Sequence, residues 1–297
     1  MLDNTIIEEF LEIKFQKNIK IQALGLINSV LDNTLSFLDD ELYLSLALEN
    51  KNITSLITNK QIANQLADKN LDIYIIIVDD PRYSYYTLYN HLGKENQRLK
   101  KSIIHKSSII HPKSFISDVN VIIGKNTIIG PNVTILNDVV IGDNCIIQPG
   151  TVIGSEGFEY KKTSKGIISV FHDGKVVIGN NVEVGANTCI DKGFSNRNTI
   201  IGDNNKIDNL VHIAHGVQTE KDNFIIANSM LGGSVSLKNN VWIGPNSTIA
   251  PQIEVKDNGF VSLGSVVTKD VLKNKWVTGN FAIPHNTFLK NLKKNLG

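Results

Sequence analysis

The sequence predicts a β-solenoid, preceded by a small α/β domain and followed by a short C-terminal helix. Three observations carry this. An aliphatic residue recurs at every sixth position between Val121 and Glu156, at Ile123, Ile129, Ile135, Ile141, Ile147 and Ile153. The beat returns at Ile178, Val184 and Ile190, then runs from Thr199 to Asp270, through Ile201, Ile207, Ile213, Thr219 and Ile225 as far as Val267. The first hundred residues lack it. Sixes match neither the 3.6 period of a helix nor strand alternation. A fixed short period marks repeats that are buried only by their neighbours.

Taken in order, residues 1–100 read as the α/β domain. "TIIEEFLEIKF" is an amphipathic helix, "NITSLITNKQIANQLADKN" a strand edge and a helix, "DIYIIIVDD" a buried strand, and "PRYSYYTLYNHLGKE" a helix opened by Pro81. Residues 101–271 form the solenoid. In each hexad the core aliphatic points inward, and the residue two earlier (Val121, Thr127, Val133, Val139, Cys145, Thr151) can join it because strand side chains alternate. Gly, Asn and Asp crowd the corners, where positive φ is needed. Three hexads close one coil, with rungs about 4.8 Å apart. Residues 157–175 are an excursion loop and 194–198 a five-residue slip. Residues 272–297 form a tail with one short basic helix.

Composition narrows the function. A net charge of +1 over 297 residues gives no reason to expect nucleic acid or a membrane surface. No apolar run is long enough to span a bilayer. The first thirty residues hold Asp3, Glu8, Glu9 and Glu12 and show no signal-peptide pattern, so a cytoplasmic protein is expected. Cys145 and Cys189 lie within the repeat register and read as buried free thiols.

Of seven histidines, two fall in one hexad, "IDNLVHIAHG". His212 precedes the core Ile213 and points outward, whereas His215 lies at the next corner. Gly233 follows His215 by three hexads, so its N–H is expected one rung above the imidazole. A neutral His can take a proton from an attacking amine. An N–H aimed at the same place can hold an oxyanion, and Asp208 on the preceding face can orient the ring. The alternative is that His215 is a solvated corner residue. Gly154, Ser155 and Gly157 in "GSEGFEY" can offer backbone N–H groups to phosphates, or form a solvated loop. His172 can touch substrate or a neighbouring subunit. Val266 and Leu263 read as core packing or as the lining of an acyl channel. No metal is expected, because His212 and His215 lack an evident third ligand.

"VIGSEGFEY", "VVIGNNVEVGANTCIDKG", "TIIGDNNKIDNLVHIAHGV" and "GSVVTKDV" resemble the UDP-3-O-acylglucosamine N-acyltransferases of lipid A biosynthesis. "LSFLDDELY" is similar to that family's uridine-binding motif. The resemblance implies a left-handed parallel β-helix and a homotrimer with sites between solenoids. It implies His215 as general base, Asp208 as its carboxylate partner and Gly233 as oxyanion donor, with Phe37 and Tyr43 sandwiching uracil. It also implies an acyl thioester co-substrate, on acyl carrier protein or CoA, no tightly bound cofactor, and a nucleotide-linked amino sugar as acceptor. Three departures stand out. Asp40 occupies the uridine motif's Asn position, Gln252 replaces a second His, and the C-terminal tail is short. A short-chain acyl-CoA enzyme acting on another nucleotide-linked amino sugar is the alternative. A non-catalytic solenoid binding protein is the alternative from a different class.

Overall fold

The computed structural model describes residues 2–296 except 3, 17, 18, 68–71, 96, 280, 281 and 283. The chain divides into two units. The first comprises Met1–Lys100, Glu156–Gly174 and Gly193–Arg197, and the second Lys101–Ser155, Lys175–Lys192 and Asn198–Gly297.

The first unit is a four-stranded parallel sheet with helices. Its elements run α1 (Asn4–Leu11), β1 (Ala23–Leu24), β2 (Thr34–Leu38), α2 (Leu44–Glu49), β3 (Ile53–Thr58), α3 (Lys60–Leu66), β4 (Tyr74–Ile77) and α4 (Pro81–Glu95). Strand order follows chain order, β1-β2-β3-β4, and every pairing is parallel. Apolar residues of β2 and β3 pack on the tyrosine-rich face of α4, where Leu35, Ile57, Tyr85 and Leu88 are fully buried. The segment "DIYIIIVDD" is an edge strand, not a buried one: among the described residues β4 has one neighbour, β3, and Ile77 is 55% exposed. Paired on one side only among the described residues, this all-apolar run is half covered.

Both interruptions of the hexad pattern belong to this unit. The excursion contains an antiparallel hairpin, Tyr160–Thr163 with Gly166–Ser169. Asn90 on α4 clamps its base, donating to the Ser169 carbonyl (2.7 Å) and accepting from Phe171 N–H (2.7 Å). In the slip, Asn196 donates to the Leu24 carbonyl (2.9 Å) and Ser195 N–H donates to the Tyr89 hydroxyl (2.7 Å).

The second unit is the solenoid, which among the described residues forms three parallel sheets of eight, eight and nine strands. The pairing register establishes the coil. Ile201, Thr219, Leu237 and Val255 stack in one column, each three hexads after the last. Ile141 pairs with Ile178, a separation of one coil plus the excursion. Ile178 pairs with Ile201, a separation of one coil plus the slip. Strands therefore re-enter in phase after each interruption. The ladder starts before the clear beat, at Ile103–Ile104, and continues past 271 to Trp276–Val277, which pairs with Phe260–Val261. Those end rungs are offset from their partners by slightly more or slightly less than three hexads, so strict sixes miss them.

Aliphatic side chains at almost every inward position fill the coil, each fully buried Ile, Leu or Val adding about 1.5–3 kcal/mol. The positions two earlier are buried as expected. Among them Thr127, Thr151 and Thr188 satisfy their hydroxyls on carbonyls at 2.8 Å. Asn205 and Asn223 are fully buried there and accept from the N–H one rung above, Asn223 at 3.0 Å and Val241 at 2.7 Å. Corners take left-handed φ at every sixth residue, for example Asn126 (54°), Asn132 (56°), Asp138 (63°) and Asn144 (56°). Asn is the side chain that tolerates this conformation best after Gly, and its amides link successive rungs, as in Asn240 to Asn258 (2.7 Å). After the solenoid, a helix runs from His285 to Leu296. Among the described residues no helix is long and apolar enough to cross a membrane.

Candidate active site

The solenoid brings His215 and Gly233 together. His212 pairs with Met230 and Ile213 with Leu231, so the corner carrying Gly233 stacks on the corner carrying His215. Ser234 N–H donates to the His215 carbonyl at 2.9 Å. A Cβ built on Gly233 would lie 2.5 Å from His215 Cε1 and 2.7 Å from Nε2. Glycine is required here by close approach, not by φ. The half-buried ring is thus pressed against the backbone of residue 233, and Gly216 beyond it is tied down by the Thr199 hydroxyl (2.9 Å).

Asp208 sits at the corner before the histidine hexad. Its carboxylate accepts from the N–H groups of Asn209 (2.7 Å) and Ala227 (3.2 Å), which fix its orientation. Gln252 is an exposed corner residue at φ 66°, and its N–H donates to the Gly233 carbonyl (2.9 Å), so it supports the backbone of the rung beneath. Leu263 (57%) and Val266 (72%) are exposed, so neither is core packing.

The "GSEGFEY" residues have structural employment. Gly154 adopts φ 91° with a Cβ position 2.7 Å from Val139 Cγ2, so only glycine fits. Ser155 Oγ donates to Asp191 Oδ1 at 2.7 Å. Gly157 N–H donates to His172 Nε2 (3.1 Å), and His172 Nδ1 lies 2.9 Å from the Val170 carbonyl. His172 is therefore neutral, with its proton on Nδ1. It is buried at 2% exposure and holds the excursion together.

In the first unit the two aromatics of the uridine-like motif part company. Phe37 on β2 is partly buried, its ring 4.8 Å from Tyr85 and 5.3 Å from Tyr86, inside the core. Tyr43 is 45% exposed, in a single 3₁₀ turn (Glu41–Tyr43) that Asp40 caps by accepting from Leu42 N–H (2.9 Å). Asp40 also lines a cleft of about 610 Å³ together with Asp80, Arg82, Lys162 and Ser164. Burial works against the Asp80 charge, but Ser164, Tyr83 N–H and Arg82 outweigh it and hold the carboxyl below its ordinary range.

Two groups near the histidine hexad escaped the linear reading. Lys192 is 4% exposed, with Nζ 4.0 Å from Asp138 Oδ2, and follows the Ile190–Ile213 pair closely, one rung beneath His215. Cys189 and Asp191 flank His212. Burial, reinforced by the Asp191 charge, pushes the Cys189 thiol above its usual range, against the opposing pull of Ser155. Cys189 is thus no activated nucleophile. The five-residue slip lengthens the sequence separation between these residues and their rung partners beyond three hexads, which hides the stacking.

Comparison with known proteins bears on the same region. The family model for the bacterial transferase hexapeptide, six repeats, matches residues 120–155. The matched stretch lies within the solenoid and is similar to that family's repeats. A UDP-3-O-acylglucosamine N-acyltransferase of Methylorubrum populi is 35% identical over 147 residues, covering 50% of this chain and 42% of that protein. UDP-3-O-acylglucosamine N-acyltransferase 2 of Legionella pneumophila is 45% identical over 94 residues, covering 32% of this chain and 27% of that one. This hexapeptide-repeat chain thus spans less than half the length of these curated relatives. A solved UDP-N-acetylglucosamine acyltransferase from Campylobacter jejuni aligns with TM-score 0.50 and 23% identity, over 60% of this chain and 71% of that one. That likeness shows the fold, a left-handed parallel β-helix.

Proposed function

We propose that the chain is an N-acyltransferase, moving an acyl group from a thioester on acyl carrier protein or CoA to the amine of a UDP-linked amino sugar, as in lipid A biosynthesis. The observation that carries this is the stacking of the His215 imidazole on the Gly233 backbone. In this reading the amine attacks the thioester carbonyl while His215 accepts its proton. The Gly233 N–H stabilises the tetrahedral oxyanion. Asp208, itself held by two N–H groups, orients the ring. The intermediate collapses, the thiol leaves with the proton from His215, and the amide remains. The exposed Leu263 and Val266 suit an acyl chain running over the solenoid. Tyr43 and the cleft beside Asp40 suit the nucleotide. The choice of acceptor rests on the relatives, which are UDP-3-O-acylglucosamine N-acyltransferases.

The test is acyl transfer to UDP-linked amino sugars from acyl-carrier and acyl-CoA donors. His215→Ala should lower turnover by about 10² to 10⁴. Gly233→Ala should do comparable damage, because the added methyl drives the ring out of place. Full activity in both variants would move the site elsewhere.

A further inference from the structure

Cys189, Asp191 and His212 meet on one outward face of the solenoid. Cys189 and His212 are ladder partners on adjacent rungs. Each directly precedes an inward residue, Ile190 or Ile213, so both side chains leave the coil on the same side. Cys189 Sγ, a carboxylate oxygen of Asp191 and a ring nitrogen of His212 all lie within 4.8 Å of one another. Asp191 divides its two oxygens: Oδ2 is 3.6 Å from His212 Nε2, and Oδ1 is 3.4 Å from Cys189 Sγ. Ser155 Oγ donates to that same Oδ1 at 2.7 Å. Asp191 is 5% exposed, whereas the His212 side chain is 45% exposed.

We propose that this cluster binds a zinc-class divalent cation, with Cys189, Asp191 and His212 as its three protein ligands and a fourth position open to solvent. The donor set is one sulfur, one imidazole nitrogen and one carboxylate oxygen, which suits Zn²⁺ or Co²⁺ and not Mg²⁺ or Ca²⁺. Ligands about 2.0–2.3 Å from a tetrahedral centre stand roughly 3.3–3.7 Å from one another, and Asp191 approaches both neighbours this closely, His212 through Oδ2 and Cys189 through Oδ1. Ser155 supplies the outer hydrogen bond that steadies a ligating carboxylate. An ion pair of His212 with Asp191 alone would not need a thiol at 3.4 Å on the same carboxylate. On binding, the Cys189 thiol gives its proton to solvent and coordinates as thiolate. Within the second unit the three ligands come from two adjacent rungs of the ladder, so little rearrangement brings them onto one ion. The inference stands independently of acyl transfer, because it uses neither His215 nor Gly233.

Chelator-treated protein titrated with Co²⁺, followed by absorbance, provides the test, with Zn²⁺ as competitor. Wild type should bind one Co²⁺ per chain with a sulfur-to-cobalt charge-transfer band in the near ultraviolet, and Zn²⁺ should displace it. Cys189→Ser should lose the band and His212→Ala the stoichiometric binding. Ser155→Ala should weaken affinity about tenfold to a hundredfold, the usual cost of removing an outer-shell partner. Absence of the band in wild type overturns the proposal whatever the variants do. So does Co²⁺ binding that is undiminished in both Cys189→Ser and His212→Ala.

Discussion

At the scale of single residues, the structure separates side chains that the sequence placed together. Phe37 and Tyr43 are close neighbours in one motif, yet one ring is in the core and the other faces solvent. Their alanine variants should therefore diverge. Phe37→Ala removes a ring packed on Tyr85 and Tyr86 and should cost about 3 kcal/mol of stability. Tyr43→Ala should change stability by less than about 0.5 kcal/mol, but raise the KM for a UDP-sugar about tenfold, the lower end of what one base–aromatic stack is worth. Thermal melts beside initial-rate measurements decide it. Equal melting temperatures for the two variants would contradict the packing of Phe37, and an unchanged KM for Tyr43→Ala would remove the nucleotide from that turn.

At the scale of elements, what was legible and what was hidden follow from the same physics. The rungs were legible because burial inside a narrow coil admits only aliphatics at fixed intervals, and Gly233 over His215 followed from counting three hexads. Short, partly polar elements carry no such period. β2 ("TLSFL") and α2 ("LSLALE") passed unread because they are five and six residues long. Side-chain hydrogen bonds between distant segments were equally hidden, and Asp80 is the clearest case. It caps α4 by accepting from Tyr83 N–H (2.8 Å), and it accepts from Ser164 N–H in the excursion (2.7 Å). Its carboxyl is held below the ordinary range, so it binds a proton less readily folded than unfolded. Its contribution is therefore complete above the unfolded carboxylate value of about 3.9 and is lost as pH falls through the lower folded value. Wild type should out-melt Asp80→Asn at pH 7, with the gap closing below about pH 4. A gap that persists in strong acid, below the folded value, would show that the charge is not its source.

At the scale of the whole molecule, the solenoid presents apolar side chains to solvent. Phe224, Trp242, Phe260 and Trp276 rise in a column, with neighbouring ring centroids 5.5, 5.8 and 4.5 Å apart, and Trp276 is 70% exposed. Contiguous apolar surface of this kind is usually covered by a partner, and closed cyclic symmetry is the common solution for identical chains. With the three copies that the family resemblance implies, light scattering should give a mass three times the 32.8 kDa of one chain. A stable monomer at assay concentration would remove the trimer and the shared clefts that it implies.

The in-phase return of the coil after residue 174 sorts mutations by whether they disturb a count. Adding or removing a single residue within a hexad shifts every later side chain against its rung, turning core aliphatics outward along the remainder of the ladder. The same change at the tip of the Tyr160–Ser169 hairpin disturbs no rung, because the coil resumes from Lys175 whatever length is looped out. The chain thus has one stretch whose length is read as a number and another whose length is free to vary. Evolution can rewrite the second without renegotiating the first.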